Sequence, residues 1–231
     1  MALRAQLGKG VEGLRIGRIV DLPAGADPGV LARLDDAFAA LEQLGAKIVD
    51  VKVPAFTYGL TAYYLVAPAE ASSNLARYDG VRFGMRVDAA DTNAMYSATR
   101  AAGFGDEVKR RIMIGTYALS AGYYDAYYGK ALRIRRLIAN DFEAAYRQAD
   151  VLLTPTSPTV AFEFGSKGDN PMAMYLCDTY TIPTNLVGHP AMSVPFGTGE
   201  HGLPVGVQIL APTLGEPVMF RTAAALEEAA Q

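Results

Sequence analysis

Hydrophobic positions change period several times along this chain, and each change marks an element. Residues 14–20 (LRIGRIV) alternate apolar and polar side chains, the period of a strand. From Asp27-Pro28 the period becomes helical: Val30, Leu34, Ala37, Phe38, Leu41 and Leu44 share one face, and Gly45 stops the run. Residues 47–51 (KIVDV) are the next strand, ended by Pro54. Such a β-α-β unit is the usual right-handed crossover. It has no glycine-rich loop after its first strand, so it reads as scaffold and not as a nucleotide site.

Residues 57–76 (TYGLTAYYLVAPAEASSNLA) are mostly helical, with Pro68 as a kink or break. Tyr63, Tyr64, Glu70, Ser72, Ser73 and Asn74 give this apolar segment an unusual polar content. If buried, such groups cost ~1–3 kcal/mol each unless hydrogen-bonded, so they should anchor neighbouring loops or line a cavity. A turn-rich loop (RYDGVRFG) begins at Arg77, and a weak helix runs from Thr92 to Arg100.

The stretch from Gly105 to Pro158 organises the rest. It reads as a helix, a Gly-Tyr-Tyr corner, a longer helix and a buried strand that ends in a proline loop. Asp106 is the predicted N-cap, with Glu107 in the first turn, where the helix dipole favours an anion. Lys109, Arg110 and Arg111 follow, and at about 100° per residue they cannot share a face. The stripe below Arg111 is Gly115, Ala118 and Gly122, all small, so a guanidinium heads a groove that a backbone or ligand can approach closely. The plainer reading of all three bases is a solvated helix end.

In the second helix Tyr127, Ala131, Ile134, Ile138, Phe142 and Ala145 form the apolar stripe. Val151-Leu152-Leu153 is too short and too apolar for anything but an interior strand, and the loop after it, TPTSP, either borders a site or is a plain turn. Asp169-Asn170-Pro171 starts another helix (MAMYLCDTYT) with an Asx cap. Asp178 lies there among Met174, Tyr175, Cys177 and Ile182, so its carboxylate is exposed, paired, or waiting for a cation. Residues 191–195 and 205–210 pair across a turn at 197–203, and residues 216–230 close the chain as an amphipathic helix.

Composition narrows the function classes. In 231 residues, 51% hydrophobic, there is room for a substantial core, as one domain or two closely packed lobes. A net charge of −3 argues against general attraction to nucleic acid or anionic lipid. The one cysteine, Cys177, excludes an intrachain disulfide framework, fits a reducing compartment and reads as a core thiol. No apolar run reaches signal-peptide or transmembrane length, so a cytoplasmic protein is expected. With two histidines, His189 and His201, and no close Cys or His partners, no metal site is expected. No Walker loop or G-x-G-x-x-G is present.

Four segments together resemble one family: EASSNL from Glu70, GDEVKRRI from Gly105, GTYALSAGYYDAYY from Gly115 and PVGVQI from Pro204. They are similar to the amidase signature family and, within it, to the A subunits of tRNA-dependent amidotransferases. The likeness runs from Gly13 onward and matches the carboxyl-terminal half of those proteins. The resemblance implies an α/β fold, part of a large mixed β-sheet flanked by helices. Residues 1–231 would be a single domain, the carboxyl-terminal portion of an amidase signature domain, with residues 1–12 a connector.

The resemblance also implies a glutaminase whose Ser, cis-Ser and Lys residues sit around a Gly/Ser-rich signature in the amino-terminal half. Ammonia would pass to a partner, the B subunit, which uses ATP and Mg2+ to amidate Glu-tRNA(Gln) or Asp-tRNA(Asn); the small C subunit wraps the pair. No Gly/Ser-rich signature occurs here, and Ser72-Ser73 lies in a helical, glycine-poor setting. The chain is therefore expected to be a fragment, a truncated reading frame or one piece of a split protein, with no catalytic residues or cofactor of its own and inactive alone. tRNA would be met only through the partner, and no membrane is involved.

What the resemblance transfers is the holder of the substrate's amino-acid end: Arg111 for the carboxylate, Asp178 for the ammonium, and Tyr63 lining the pocket. A zwitterion needs one fixed cation and one fixed anion, and a guanidinium suits a carboxylate bidentately. Without a ligand, Arg111 and Asp178 could instead pair with each other. The competing functions are a stand-alone amidase of the same family acting on another amide, and a non-catalytic module that only binds a partner.

Overall fold

A computed structural model describes residues 3–167 and 170–230. Its strands are β1 (Arg15–Ile19), β2 (Lys47–Val51), β3 (Val151–Pro155), β4 (Ala191–Thr198) and β5 (Pro204–Leu210). Its helices are α1 (Pro28–Gln43), α2 (Gly59–Leu75), α3 (Thr92–Gly103), α4 (Asp106–Ala118), α5 (Gly129–Tyr146), α6 (Pro171–Tyr175), α7 (Ile182–Val187) and α8 (Glu216–Ala229). The chain divides into two units, Met1–Leu60 with Ile134–Gln231, and Thr61–Arg133.

The first unit carries a mixed five-stranded sheet flanked by helices, ordered β2-β1-β3-β5-β4. β1 is parallel to β2 and to β3, with Ile16 opposite Ile48 and Gly17 opposite Leu152. β5 is antiparallel to β3 and to β4, with Leu153 and Met192 both opposite Ile209. All five residues of β3 are buried, as an interior strand requires. Their side chains alternate: Val151 and Leu153 join Ile16, Phe38, Leu41, Val207, Ile209 and Leu226 in the core under α1 and α8. Facing the other way, Gln208 is buried yet satisfied, donating through Nε2 to Thr154 Oγ1 (2.9 Å) and to the Tyr180 carbonyl (3.0 Å).

Most predicted helix stripes are buried, with instructive exceptions. Val30, Leu34, Ala37, Phe38 and Leu41 are covered, but Leu44 is 47% exposed because it is the C-cap of α1. Gly45 then turns at φ +90°. Asp27 makes no side-chain cap; Glu200 Oε1 accepts from Gly29 N at 2.7 Å instead. In α5, Ala131, Ile138, Phe142 and Ala145 are buried, but Tyr127 lies before the helix in a π-helical turn (Tyr124–Tyr128) and is exposed. Residues 3–9, read as connector, form a 3-10 helix tied down by Arg221, which donates to the carbonyls of Gly10 and Lys9, and Val11 is buried in the core.

The second unit is helical. α2 continues through Pro68. The N-cap of α4 is Gly105, which corrects the assignment to Asp106; Asp106 and Glu107 fill the first turn. None of the polar residues of α2 is fully buried: Glu70, Ser73 and Asn74 are exposed and Tyr63, Tyr64 and Ser72 half-buried. They still anchor neighbours: Ser72 Oγ lies 2.8 Å from Thr116 Oγ1, and Tyr128 donates to Glu70 at 2.5 Å. The loop from Arg77 is pinned to α3 by buried Thr99, whose Oγ1 accepts from Val87 N at 2.9 Å. With α3 it lines an open groove of about 620 Å³.

Candidate functional site

The small stripe below Arg111 holds for its first two residues; the third, Gly122, lies beyond the end of α4 and is exposed. Gly115 and Ala118 are buried, and a Cβ added at Gly115 would fall on the Pro68 carbonyl of α2. The backbones of α2 and α4 therefore meet there, an approach that only glycine permits. Three pairs map the contact: Tyr63 with Arg111, Pro68 with Gly115, and Ser72 with Thr116. Both numbers of each pair rise together, so the two helices run in the same sense along their seam.

At the amino-terminal end of that seam Arg111 is held on two sides. Its Nε donates to Glu107 Oε1 at 2.9 Å, one helical turn back, and its Nη1 donates to the Tyr63 hydroxyl at 3.2 Å. Its Cζ lies 6.0 Å from the Tyr64 ring centroid, and the Tyr63 and Tyr64 rings meet edge to face at 5.0 Å. The hydrogen bond to Glu107 raises the guanidinium pKa still further above its usual value; partial burial opposes that shift, and Tyr63 adds to it. The side chain is 32% exposed, so a permanent cation is fixed in place while part of it stays accessible. Arg110 and Lys109 do not share this setting. Arg110 pairs with Glu107 Oε2 at 3.1 Å with half its side chain in solvent, and Lys109 lies 3.7 Å from Asp106.

Asp178 belongs to the first unit. Asn170 caps α6, accepting from Ala173 N at 3.2 Å; Asp169, the other predicted start residue, lies outside the described residues. The single helix predicted over MAMYLCDTYT is two pieces, α6 and a 3-10 turn, Leu176–Asp178. Just past the turn, Thr179 Oγ1 donates to the Leu176 carbonyl at 2.7 Å and Thr181 Oγ1 to the Asp178 carbonyl at 3.2 Å. Asp178 is exposed. Its apolar neighbours are mixed: Met174 is 43% accessible, Tyr175 and Cys177 are half-buried, and Ile182 is buried, while Met172 and Leu176 are 59% and 49% accessible. Two residues on, the buried Tyr180 donates to the Pro23 carbonyl at 2.9 Å, which anchors the segment.

Cys177 is half-buried and not a core thiol; Lys167 Nζ lies 2.9 Å from its sulfur. His189 packs edge-on against Tyr146 and Phe142, and burial lowers its pKa despite the opposing charge of Glu143. Among the described residues no group of three His, Cys, Asp or Glu could hold a metal ion, and no helix is long and apolar enough to cross a membrane. The structure thus brings Arg111 and Tyr63 together. It adds Glu107 and Tyr64, which sequence reasoning did not assign to the site, although the i, i+4 spacing of Glu107 and Arg111 was visible.

Comparison with known proteins gives this geometry a context. A family model described as Amidase matches residues 2–219. The A subunit of glutamyl-tRNA(Gln) amidotransferase from Nocardia farcinica is 55% identical over 224 residues, covering 95% of this chain and 46% of the relative. Its counterpart in Thermobifida fusca is also 55% identical, with 95% and 45% covered. The chain thus spans a little under half the length of these relatives and matches their carboxyl-terminal part. The crystal structure of the A subunit of glutamyl-tRNA(Gln) amidotransferase from Thermotoga maritima superposes with a TM-score of 0.74 at 41% identity, over 96% of this chain and 44% of that one. A bacterial aryl acylamidase reaches the same TM-score at 20% identity, which shows a shared fold. With the family match extending over most of its length, the chain belongs to the amidase signature family.

Proposed function

We propose that this chain is the glutamine-gripping portion of the A subunit of a tRNA-dependent amidotransferase. Arg111 takes the α-carboxylate of glutamine, Tyr63 lines the pocket beside it, and Asp178 takes the α-ammonium. The observation that carries the reading is the 55% identity, over nearly the whole chain, to proteins named as that subunit. The setting of Arg111 supports it: a permanently charged, partly accessible guanidinium, oriented by Glu107 and Tyr63, suits a carboxylate ligand. An exposed carboxylate on an anchored segment suits an ammonium, since it needs no buried counter-charge before the ligand arrives.

In this reading the amide-cleaving Ser, cis-Ser and Lys lie in polypeptide outside this chain, which is inactive by itself. The B and C subunits complete the cytoplasmic enzyme; the B subunit, with ATP and Mg2+, activates the misacylated tRNA and receives the ammonia. The test has two arms. The pure chain should release no ammonia from glutamine. A complete A subunit with this segment, joined to its B and C partners, should form Gln-tRNA from Glu-tRNA(Gln), glutamine and ATP. Ammonia release by the chain alone, or an assembled enzyme that prefers unrelated amides to glutamine, would contradict the assignment.

A further inference from the structure

We propose that Glu107 is the positioning residue for Arg111, and that it leaves only the terminal Nη1–Nη2 edge of the guanidinium for a ligand carboxylate. This rests on the glutamine-gripping reading above. A guanidinium can receive a carboxylate along its Nε–Nη2 side or across its Nη1–Nη2 end. Here the side is taken, because Nε donates to Glu107 Oε1 at 2.9 Å. Nη1 spends one of its two N–H groups on the Tyr63 hydroxyl at 3.2 Å, so the two hydrogen bonds that hold Arg111 use Nε and Nη1 and not Nη2. Carboxylate recognition is thereby confined to one edge and one direction.

Glu107 is itself well held. It sits in the first turn of α4, where the helix dipole favours a carboxylate. Its second oxygen, Oε2, accepts from Arg110 Nη1 at 3.1 Å. Each oxygen thus serves a different arginine, and the carboxylate is kept from rotating away. Arg110 orients the carboxylate, the carboxylate orients Arg111, and Arg111 meets the ligand. Glu107 touches no substrate in this arrangement.

The experiment uses a complete A subunit with this segment, joined to its partners, and reads KM and kcat for glutamine alongside ammonia-dependent activity. Glu107→Ala should raise the glutamine KM about tenfold, leaving kcat within about threefold of wild type and ammonia-dependent activity intact. Glu107→Gln keeps an oxygen that can accept from Nε and should restore KM to within about threefold. In an Arg111→Ala background, Glu107→Ala should add nothing further.

An unchanged KM in Glu107→Ala, while Arg111→Ala raises it, overturns the positioning role and leaves the glutamine reading intact. An unchanged KM in Arg111→Ala overturns the glutamine reading itself. A fall in both glutamine- and ammonia-dependent rates together with a lowered Tm in Glu107→Ala would make the residue merely structural and would also overturn the proposal. If Glu107→Ala does not fold, Glu107→Gln decides: the proposal then requires near-normal KM, and a rise of tenfold or more refutes it.

Discussion

Replacing Gly115 with alanine tests the seam that places Arg111, because two effects of opposite sign compete there. In an ordinary mid-helix position, glycine to alanine stabilises by roughly 0.8–1 kcal/mol through helix propensity. At Gly115 the added methyl would land on the backbone carbonyl of Pro68, and its next neighbours are the Pro68 carbonyl carbon and the Ala69 nitrogen. These are backbone atoms, which cannot rotate aside as a side chain can. Overpacking of this kind costs about 1–3 kcal/mol or more, enough to outweigh the propensity gain. Gly115→Ala should therefore be destabilising, whereas Gly8→Ala, with nothing within 4 Å of the added carbon, should not be. Thermal denaturation of both variants, followed by helical circular dichroism, reads the sign. At about 2–4 °C per kcal/mol for a chain of this size, the expected fall in Tm is measurable. A Gly115→Ala protein more stable than wild type would refute the close approach of α2 and α4, and with it the alignment of Tyr63 with Arg111.

Further outcomes are as specific. Arg111→Ala in the assembled enzyme should lower kcat/KM for glutamine by roughly tenfold to a hundredfold, the scale of one charge-assisted hydrogen-bonded pair of ~1.5–3 kcal/mol. Free ammonia should remain usable, and equal loss with both nitrogen sources would contradict the assignment. Asp150 gives a pH test: burial pushes its carboxyl up, but hydrogen bonds from the Arg15 side chain and backbone, with the charges of Arg15 and Arg221, outweigh that and hold it below the usual range. A depressed folded-state pKa adds stability above the unfolded value of about 3.9 that is lost as pH falls through the folded one. The stability gap between wild type and Asp150→Asn should thus be flat near neutrality and shrink below about pH 4; a gap that widens in acid would reverse the sign. Finally, the buried Tyr146 hydroxyl has no partner among the described residues and its pKa is raised by burial. Tyr146→Phe should therefore be neutral or stabilising by up to about 1 kcal/mol in denaturant titration.

Much of the sheet was legible because strand alternation and helical stripes are periodic, and burial follows period. Val151-Leu152-Leu153 and the stripe of α1 show this. The misses fall where period is silent. Leu44 continues the α1 stripe on paper but lies beyond its last turn, and Tyr127 continues that of α5 but belongs to a π-helical turn. For Asp178 the apolar neighbours left exposure, pairing and a waiting cation all open, because composition cannot tell a buried apolar segment from an exposed one; Asp178 is exposed, as are Met172, Met174 and Leu176. Arg111 was legible from its small-residue stripe, since absent bulk predicts a close approach. Tyr63 came beside it only through the family resemblance, because contacts between residues 48 positions apart leave no mark on either local pattern.

The most direct measurement is a crystal structure of a complete A subunit with this segment in place and glutamine bound. The glutamine carboxylate should sit on the Nη1–Nη2 edge of Arg111 at about 2.7–2.9 Å, beside the Tyr63 hydroxyl, with the ammonium on Asp178. Glutamine seated away from both Arg111 and Asp178 would contradict the division of labour proposed for this chain.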